Sequence, residues 1–183
     1  MIKHKIKIRN VRPAEEKIKI LNIPIVYQVQ SEWCWAACAT MVSHFLGDTK
    51  VKRCEFANML FNQVGCCKHN SSAACNKPCQ WNDIKNIYSL KKIKSTFITG
   101  IVLFSKIVAE INLGRPIEIG FHWTFGGAHV VLATGYKSLR RRQYVYINDP
   151  IRGGGWQTYK DIVVASGKGV WSHTWIDIKK GTA

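Results

Sequence analysis

Gln28-Val-Gln-Ser-Glu-Trp33-Cys34-Trp35-Ala36-Ala37 sets a cysteine where a polar loop gives way to a small-residue helix, six residues after a glutamine. Ala36, Ala37 and Ala39 are compact helix formers, and Met41, Val42 and Phe45 add apolar positions at helical spacing. The pattern predicts a helix that starts near Trp33 and stops before Gly47. Cys34 then falls in the first turn, where unpaired backbone N–H groups and the positive dipole end favour a thiolate. A free thiol ionises near about pH 8.5, and a helix start with a neighbouring imidazolium can bring that to roughly 3–4. The same N–H groups suit a developing oxyanion. Gln28 would add a side-chain donor from the loop, and losing one such donor typically costs about 10²–10³ in rate.

Such a thiol needs a base and a group to orient it. His129 lies in the apolar run Gly127-Ala-His-Val-Val-Leu132, which reads as a buried strand behind an open Gly126-Gly127 approach. Asp149 ends a second apolar run, Tyr144-Val-Tyr-Ile-Asn148-Asp149-Pro150, and can accept from the second ring nitrogen. Asn148 is also chemically competent. Neighbouring strand residues point to opposite faces, so only one of the two can serve, and Asp149 is preferred. Singly, each residue has an ordinary structural role: a buried Cys is usually a small hydrophobe, a strand His a core residue, Asp-Pro a turn. His122 is a rival base, expected to serve in packing or substrate contact. His44 is expected to be solvated or structural, and His4, His69 and His173 carry no surrounding pattern.

Cys, then His, then Asp, with Gln ahead of the Cys, is the chain order of papain-like thiol hydrolases. Trp33-Cys34-Trp35-Ala36-Ala37 resembles the nucleophile motif of bacterial papain-like proteins of the peptidase C39-like group, which includes avirulence proteases of plant pathogens. Gly114-Arg115-Pro116 before an apolar strand, Gly127-Ala-His129 through Gly135-Tyr136, and Asn148-Asp149-Pro150 are similar too. So are the Cys54-Glu-Phe-Ala-Asn-Met-Leu helix and the Cys66-Cys67…Cys75-Asn76 segment, while Cys38 and Cys79 stand outside the pattern. The resemblance covers roughly residues 22–178. It implies an α+β papain-like fold: a helical lobe with the Cys helix and a twisted antiparallel sheet lobe carrying His and Asp. It also implies hydrolysis of a protein or peptide substrate without a cofactor. A leader-peptide processing peptidase or a transglutaminase-like acyltransferase would use the same triad. A catalytically silent binding module is the third alternative, and the intact triad argues against it.

At 183 residues the chain suits one domain with a sizeable core. The expected division is a basic extension or edge strand over 1–21 and a single peptidase domain over 22–183. Met1–Lys19 alternates Lys and Ile and lacks the apolar core of a signal peptide. Helices are expected at about 33–46, 51–62, 81–90 and 104–113, and strands at about 116–122, 129–136, 143–149 and 170–177. Helices first and strands later read as α+β. No apolar run is long enough to span a bilayer. Trp33, Trp123 and Trp156, with Phe125, are candidate substrate contacts, and Gly153-Gly154-Gly155 reads as a plain turn.

Of the seven cysteines, a reduced Cys34 leaves Cys38, Cys54, Cys66, Cys67, Cys75 and Cys79, enough for three disulfides. Most fall in a loop region that staples would hold, and adjacent Cys66 and Cys67 should take different partners. Zinc is disfavoured, because no Cys-x-x-Cys knuckle is present. Disulfides point to an oxidising destination, so the chain is expected to be secreted or delivered to another cell or compartment, as a bacterial effector or toxin. The net charge of +16, densest at Arg140-Arg141-Arg142, favours acidic partners: an acidic substrate, or an inhibitor or immunity protein. No nucleic-acid-binding motif accompanies the charge, so nucleic acid is not the expected partner.

Overall fold

The structure, a computed structural model of the chain, describes residues 16–139 and 142–181. The chain enters through β1 (Lys17–Ile20) and forms three helices, α1 (Cys34–Phe45), α2 (Arg53–Phe61) and α3 (Trp81–Leu90). Then come β2 (Ile93–Thr99), α4 (Phe104–Asn112), β3 (Ile117–Trp123), β4 (Ala128–Leu139), β5 (Arg142–Asp149) and β6 (Gly153–Thr158). A short α5 (Tyr159–Val163), a 3-10 turn at Ala165–Gly167 and β7 (Gly169–Lys180) complete it. The sheet is antiparallel throughout in the order β2-β7-β3-β4-β5-β6, with β1 beside the far half of β4. This is the α+β architecture expected from the sequence, with the cysteine helix against the sheet.

α1 is buried at every position from Trp35 to Ser43, because it packs against β4, α2 and α3 at once. A helix wrapped on all sides has no wet stripe to fill with polar residues, and alanines allow neighbouring backbones to approach. β4 is buried continuously from His129 to Tyr136, since α1 and α4 both pack on it. That covering explains why its apolar run is unbroken rather than alternating. α2 and α3 each begin with a carboxylate that closes back on the N-cap amide: Glu55 accepts from the Lys52 N–H at 3.2 Å and Asp83 from the Gln80 N–H at 2.8 Å.

The expected helices and strands are present within a few residues, and three elements are additions. β2 is an edge strand on β7, too mixed in its exposure to show a clear alternation. α5 is a short helix after β6, capped by Thr158. β6 corrects the reading of Gly153-Gly154-Gly155 as a plain turn: the three glycines pair with Asp149, Asn148 and Ile147 of β5. A Cβ on Gly154 would stand 2.7 Å from the Tyr146 hydroxyl, so close approach explains that glycine, while Gly153 has a positive φ of 85°. β1 is a strand paired with β4, and Met1 to Glu15 lie outside the described residues. Arg140 and Arg141 lie outside them too, and Arg142 opens β5.

Two disulfides form, Cys54–Cys67 and Cys66–Cys75, so the adjacent pair does take different partners. The expected third bridge is absent among the described residues, because Cys34, Cys38 and Cys79 are free thiols. Cys38 is fully enclosed within α1 and its thiol donates to the Val130 carbonyl at 3.6 Å. Cys79 follows Pro78 onto the wall of a cleft that Cys34 also lines. No helix among the described residues is long and apolar enough to cross a membrane.

Candidate active site

The antiparallel ladder between β4 and β5 brings the histidine strand beside the aspartate strand. His129 Nε2 lies 2.9 Å from Asp149 Oδ1, and both residues are buried. The same oxygen accepts from the backbone N–H groups of Ile151 at 2.8 Å and Arg152 at 3.4 Å. Asp149 therefore both ends the strand and shapes the turn at Pro150. Burial alone would raise the carboxyl, but the His129 hydrogen bond and the Ile151 amide outweigh it and hold Asp149 below the usual carboxylate range. Burial likewise pulls the imidazole down, and hydrogen bonds to Asp149 and to Cys34 overcome it, pushing His129 up to about 9. With Nε2 on Asp149, Nδ1 is left free of the carboxylate, and Cys34 lines the same cleft as the ring. The upward shift favours the charged imidazole at neutral pH.

Cys34 opens α1, as the small-residue pattern predicted, and lines a cleft of about 410 Å³ together with His129. Its floor and walls are mostly apolar: Trp35, Pro78, Trp81, Ile84, Trp123 and Val130. Trp123 lies nearly parallel to the His129 ring, 6.1 Å between centroids, and Phe121 stacks behind it at 5.8 Å. The arrangement supplies a thiol at a helix start, a charged imidazole, an orienting carboxylate and a groove wide enough for a peptide side chain.

Other expected residues fall elsewhere. Asn148 points away from His129, donating from Nδ2 to the Ile23 carbonyl at 3.0 Å, and it clamps the incoming segment to the core. Gln28 does not present its amide to the cleft: Nε2 donates to the carbonyls of Gln30 at 3.0 Å and Ser31 at 2.8 Å. Both its hydrogens are engaged in bracing the loop before Cys34, and its backbone N–H holds the Pro150 carbonyl at 2.9 Å. Trp33 is a core residue rather than a substrate contact, with Nε1 donating to the Cys75 carbonyl at 2.8 Å. Trp156 packs on Tyr146 under the Lys137 ammonium, away from the cleft lining, because β6 carries it along the sheet edge. Trp123 does line the cleft, and Phe125 is fully exposed in the turn between β3 and β4. His122 lines the cleft beside Trp81, and His44 Nε2 meets the Val51 carbonyl at 2.9 Å.

Trp81 and Glu118 were not singled out by the sequence, and Cys79 was expected in a disulfide but is a free thiol on the cleft wall. Trp81 stacks on His173 at 4.4 Å, and Gly120 leaves the space its ring fills. The Gln80-x-x-Asp83 cap was the available signal, since it places Trp81 at the head of a helix. Glu118 lies beneath the site, fully buried, accepting from the Tyr88 hydroxyl at 2.5 Å with Oε1 left unpartnered. Burial raises it to about 8 despite that hydrogen bond, so it is neutral at pH 7.

The model of the Peptidase_C39 like family matches residues 20–181. No curated protein matches the chain. Among solved structures, a double glycine motif protease from an AMS/PCAT transporter, crystallised with its leader peptide, is similar at 17% identity and TM-score 0.51, covering 86% of this chain and 93% of the other. The peptidase domain of Streptococcus ComA, a bi-functional ABC transporter, is similar at 14% identity and TM-score 0.53, covering 85% and 97%. These two likenesses speak for the fold, and the family match speaks for the chemistry: the chain belongs to the Peptidase_C39-like family and is a papain-like cysteine peptidase.

Proposed function

We propose that Cys34, His129 and Asp149 form the catalytic triad and that the protein is an endopeptidase. The observation that supports this is the His129–Asp149 hydrogen bond at the wall of the apolar cleft that Cys34 also lines. The Cys34 thiolate attacks the scissile carbonyl, and the oxyanion forms over the head of α1, where the backbone N–H of Cys34 has no intrahelical partner. The His129 imidazolium then gives its proton to the leaving amine and afterwards takes one from the water that releases the acyl enzyme. Asp149 keeps the ring oriented and charged. Gln28 joins the oxyanion hole only if its amide leaves the carbonyls of Gln30 and Ser31; in the arrangement seen it acts as a loop brace.

Two disulfides and a net charge of +16 support a role outside reducing compartments, against acidic protein substrates or an acidic inhibitor, as for a delivered effector or toxin. Leader-peptide processing is the second reading, favoured by the similarity to a protease crystallised with its leader peptide. The test is a proteome digest in which new amino termini are labelled, run with the parent chain and with Cys34→Ala. New termini that vanish in the variant support the endopeptidase; products carrying an added amine in place of water would redirect the reading to acyl transfer. Cleavage confined to double-glycine sites would select the leader-peptide role.

A further inference from the structure

Once Cys54–Cys67 and Cys66–Cys75 have formed, three thiols remain, and two of them, Cys34 and Cys79, line one cleft. The segments that carry them are held together by the residues on either side. Trp33 Nε1 donates to the Cys75 carbonyl at 2.8 Å and Trp35 Nε1 to the Lys77 carbonyl at 3.1 Å. Between them, the Glu32 N–H donates to Asn76 Oδ1 at 3.1 Å and Asn76 Nδ2 donates to Ser31 Oγ at 3.0 Å. Residues 31–35 and 75–77 are thus stitched side by side, and the Cys66–Cys75 bridge anchors the second of these segments. Pro78 then carries the chain to Cys79 on the cleft wall.

From this geometry we infer that Cys79 is a resolving thiol for Cys34, so that a peroxide closes a reversible Cys34–Cys79 disulfide across the cleft. The inference rests on Cys34 being the nucleophile. In the first step the Cys34 thiolate attacks a peroxide oxygen: an S–O bond forms, the O–O bond breaks, and hydroxide leaves, giving a sulfenic acid. In the second step the Cys79 sulfur attacks that sulfur. The S–S bond forms, the S–O bond breaks, and the hydroxyl departs as water with the Cys79 proton. Burial first, and then the neighbouring Cys34, push the Cys79 thiol upward, so it rests as a neutral thiol that reacts slowly with the oxidant itself. Conversion of Cys34 to the uncharged sulfenic acid removes the second of those influences. Cys38 is the poorer partner, being fully enclosed and bonded to the Val130 carbonyl. The latched protein is inactive, protected from over-oxidation, and reopened by a thiol reductant.

The test treats the full chain, first gently reduced and freed of reductant, with hydrogen peroxide. Non-reducing peptide mapping, intact mass and residual activity are then followed, each variant scaled to its own starting activity. The expected result is a loss of about 2 Da, a linked Cys34–Cys79 peptide, and activity that returns with dithiothreitol. Cys79→Ser should instead gain about 32 Da on Cys34 and stay inactive after the reductant. A Cys34–Cys38 link, or a Cys79→Ser chain that recovers as fully as the parent, overturns the inference. Iodoacetamide labelling near pH 6, read by mass alone, separates it from the triad reading. Fast labelling of Cys34 without a peroxide cross-link overturns the latch and leaves the triad standing, whereas slow labelling contradicts both.

Discussion

The sheet wall of the cleft holds His129 and Asp149 by ladder register and a buried ion pair, whereas the helical wall holds Cys34 and Cys79 by disulfides and by side chains that reach backbone carbonyls. A ladder fixes every residue on it through regular hydrogen bonds, so a catalytic pair placed there needs little local help. The segment from Cys66 to Cys79 contains no helix or strand, so its position depends on covalent links and on single hydrogen bonds. The lesson is that the two walls should fail differently: the first in chemistry, the second in stability and in substrate binding.

The sheet wall gives the largest expected effect. Asp149→Ala should lower kcat by about 10²–10⁴, with the fold kept as judged by far-UV circular dichroism. The parent should lose kcat/KM as pH rises through about 9, where His129 gives up its proton. The variant loses the hydrogen bond that raises His129, so this alkaline limb should move to lower pH; an unmoved limb would break the assignment. On the helical wall, Cys66→Ser with Cys75→Ser should cost about 2–3 kcal/mol in urea unfolding, given the short loop it closes. KM should rise more than kcat falls. An equal loss in both walls would erase the distinction between them.

Smaller effects sharpen the comparison beneath the site. Glu118 is raised in the folded state to about 8, from an ordinary value near 4.5. Its contribution to stability is therefore fully present below about pH 4.5 and lost by about pH 8, because only the unfolded chain ionises in between. The slope is at most about 1.4 kcal/mol per pH unit. Glu118→Gln should flatten stability across that window, measured by thermal melting at several pH values. Trp35→Phe removes the donor to the Lys77 carbonyl and should cost about 1 kcal/mol, with a larger effect on KM than on kcat.

The same contrast explains what the sequence made legible. α1, β4 and β5 carry long apolar patterns, so their positions could be read directly, whereas strand alternation said only that one of Asn148 and Asp149 could face His129, and the hydrogen bond to Asp149 comes from the β4–β5 register. The Gly153–Gly155 run was opaque because Gly154 answers to the Tyr146 hydroxyl on a different strand and Gly153 to a positive φ beside Tyr27. Trp33 looked like a substrate contact because an aromatic beside a nucleophile is ambiguous until its indole N–H finds the Cys75 carbonyl. Gln28 has the spacing of an oxyanion donor, yet the amide orientation is set by two carbonyls only two and three residues away, which spacing does not reveal. Disulfide connectivity was likewise beyond sequence, since only four of the six candidate cysteines pair, by spatial proximity and not by order.

The most direct test of the central claim is alkylation of the gently reduced native chain with iodoacetamide near pH 6, mapped cysteine by cysteine. A cysteine held beside the His129 imidazolium should label rapidly at Cys34, while Cys38 and Cys79 label slowly and Cys54–Cys67 and Cys66–Cys75 are recovered as disulfides. Uniformly slow labelling, or rapid labelling at Cys38 or Cys79 with Cys34 inert, would contradict the triad.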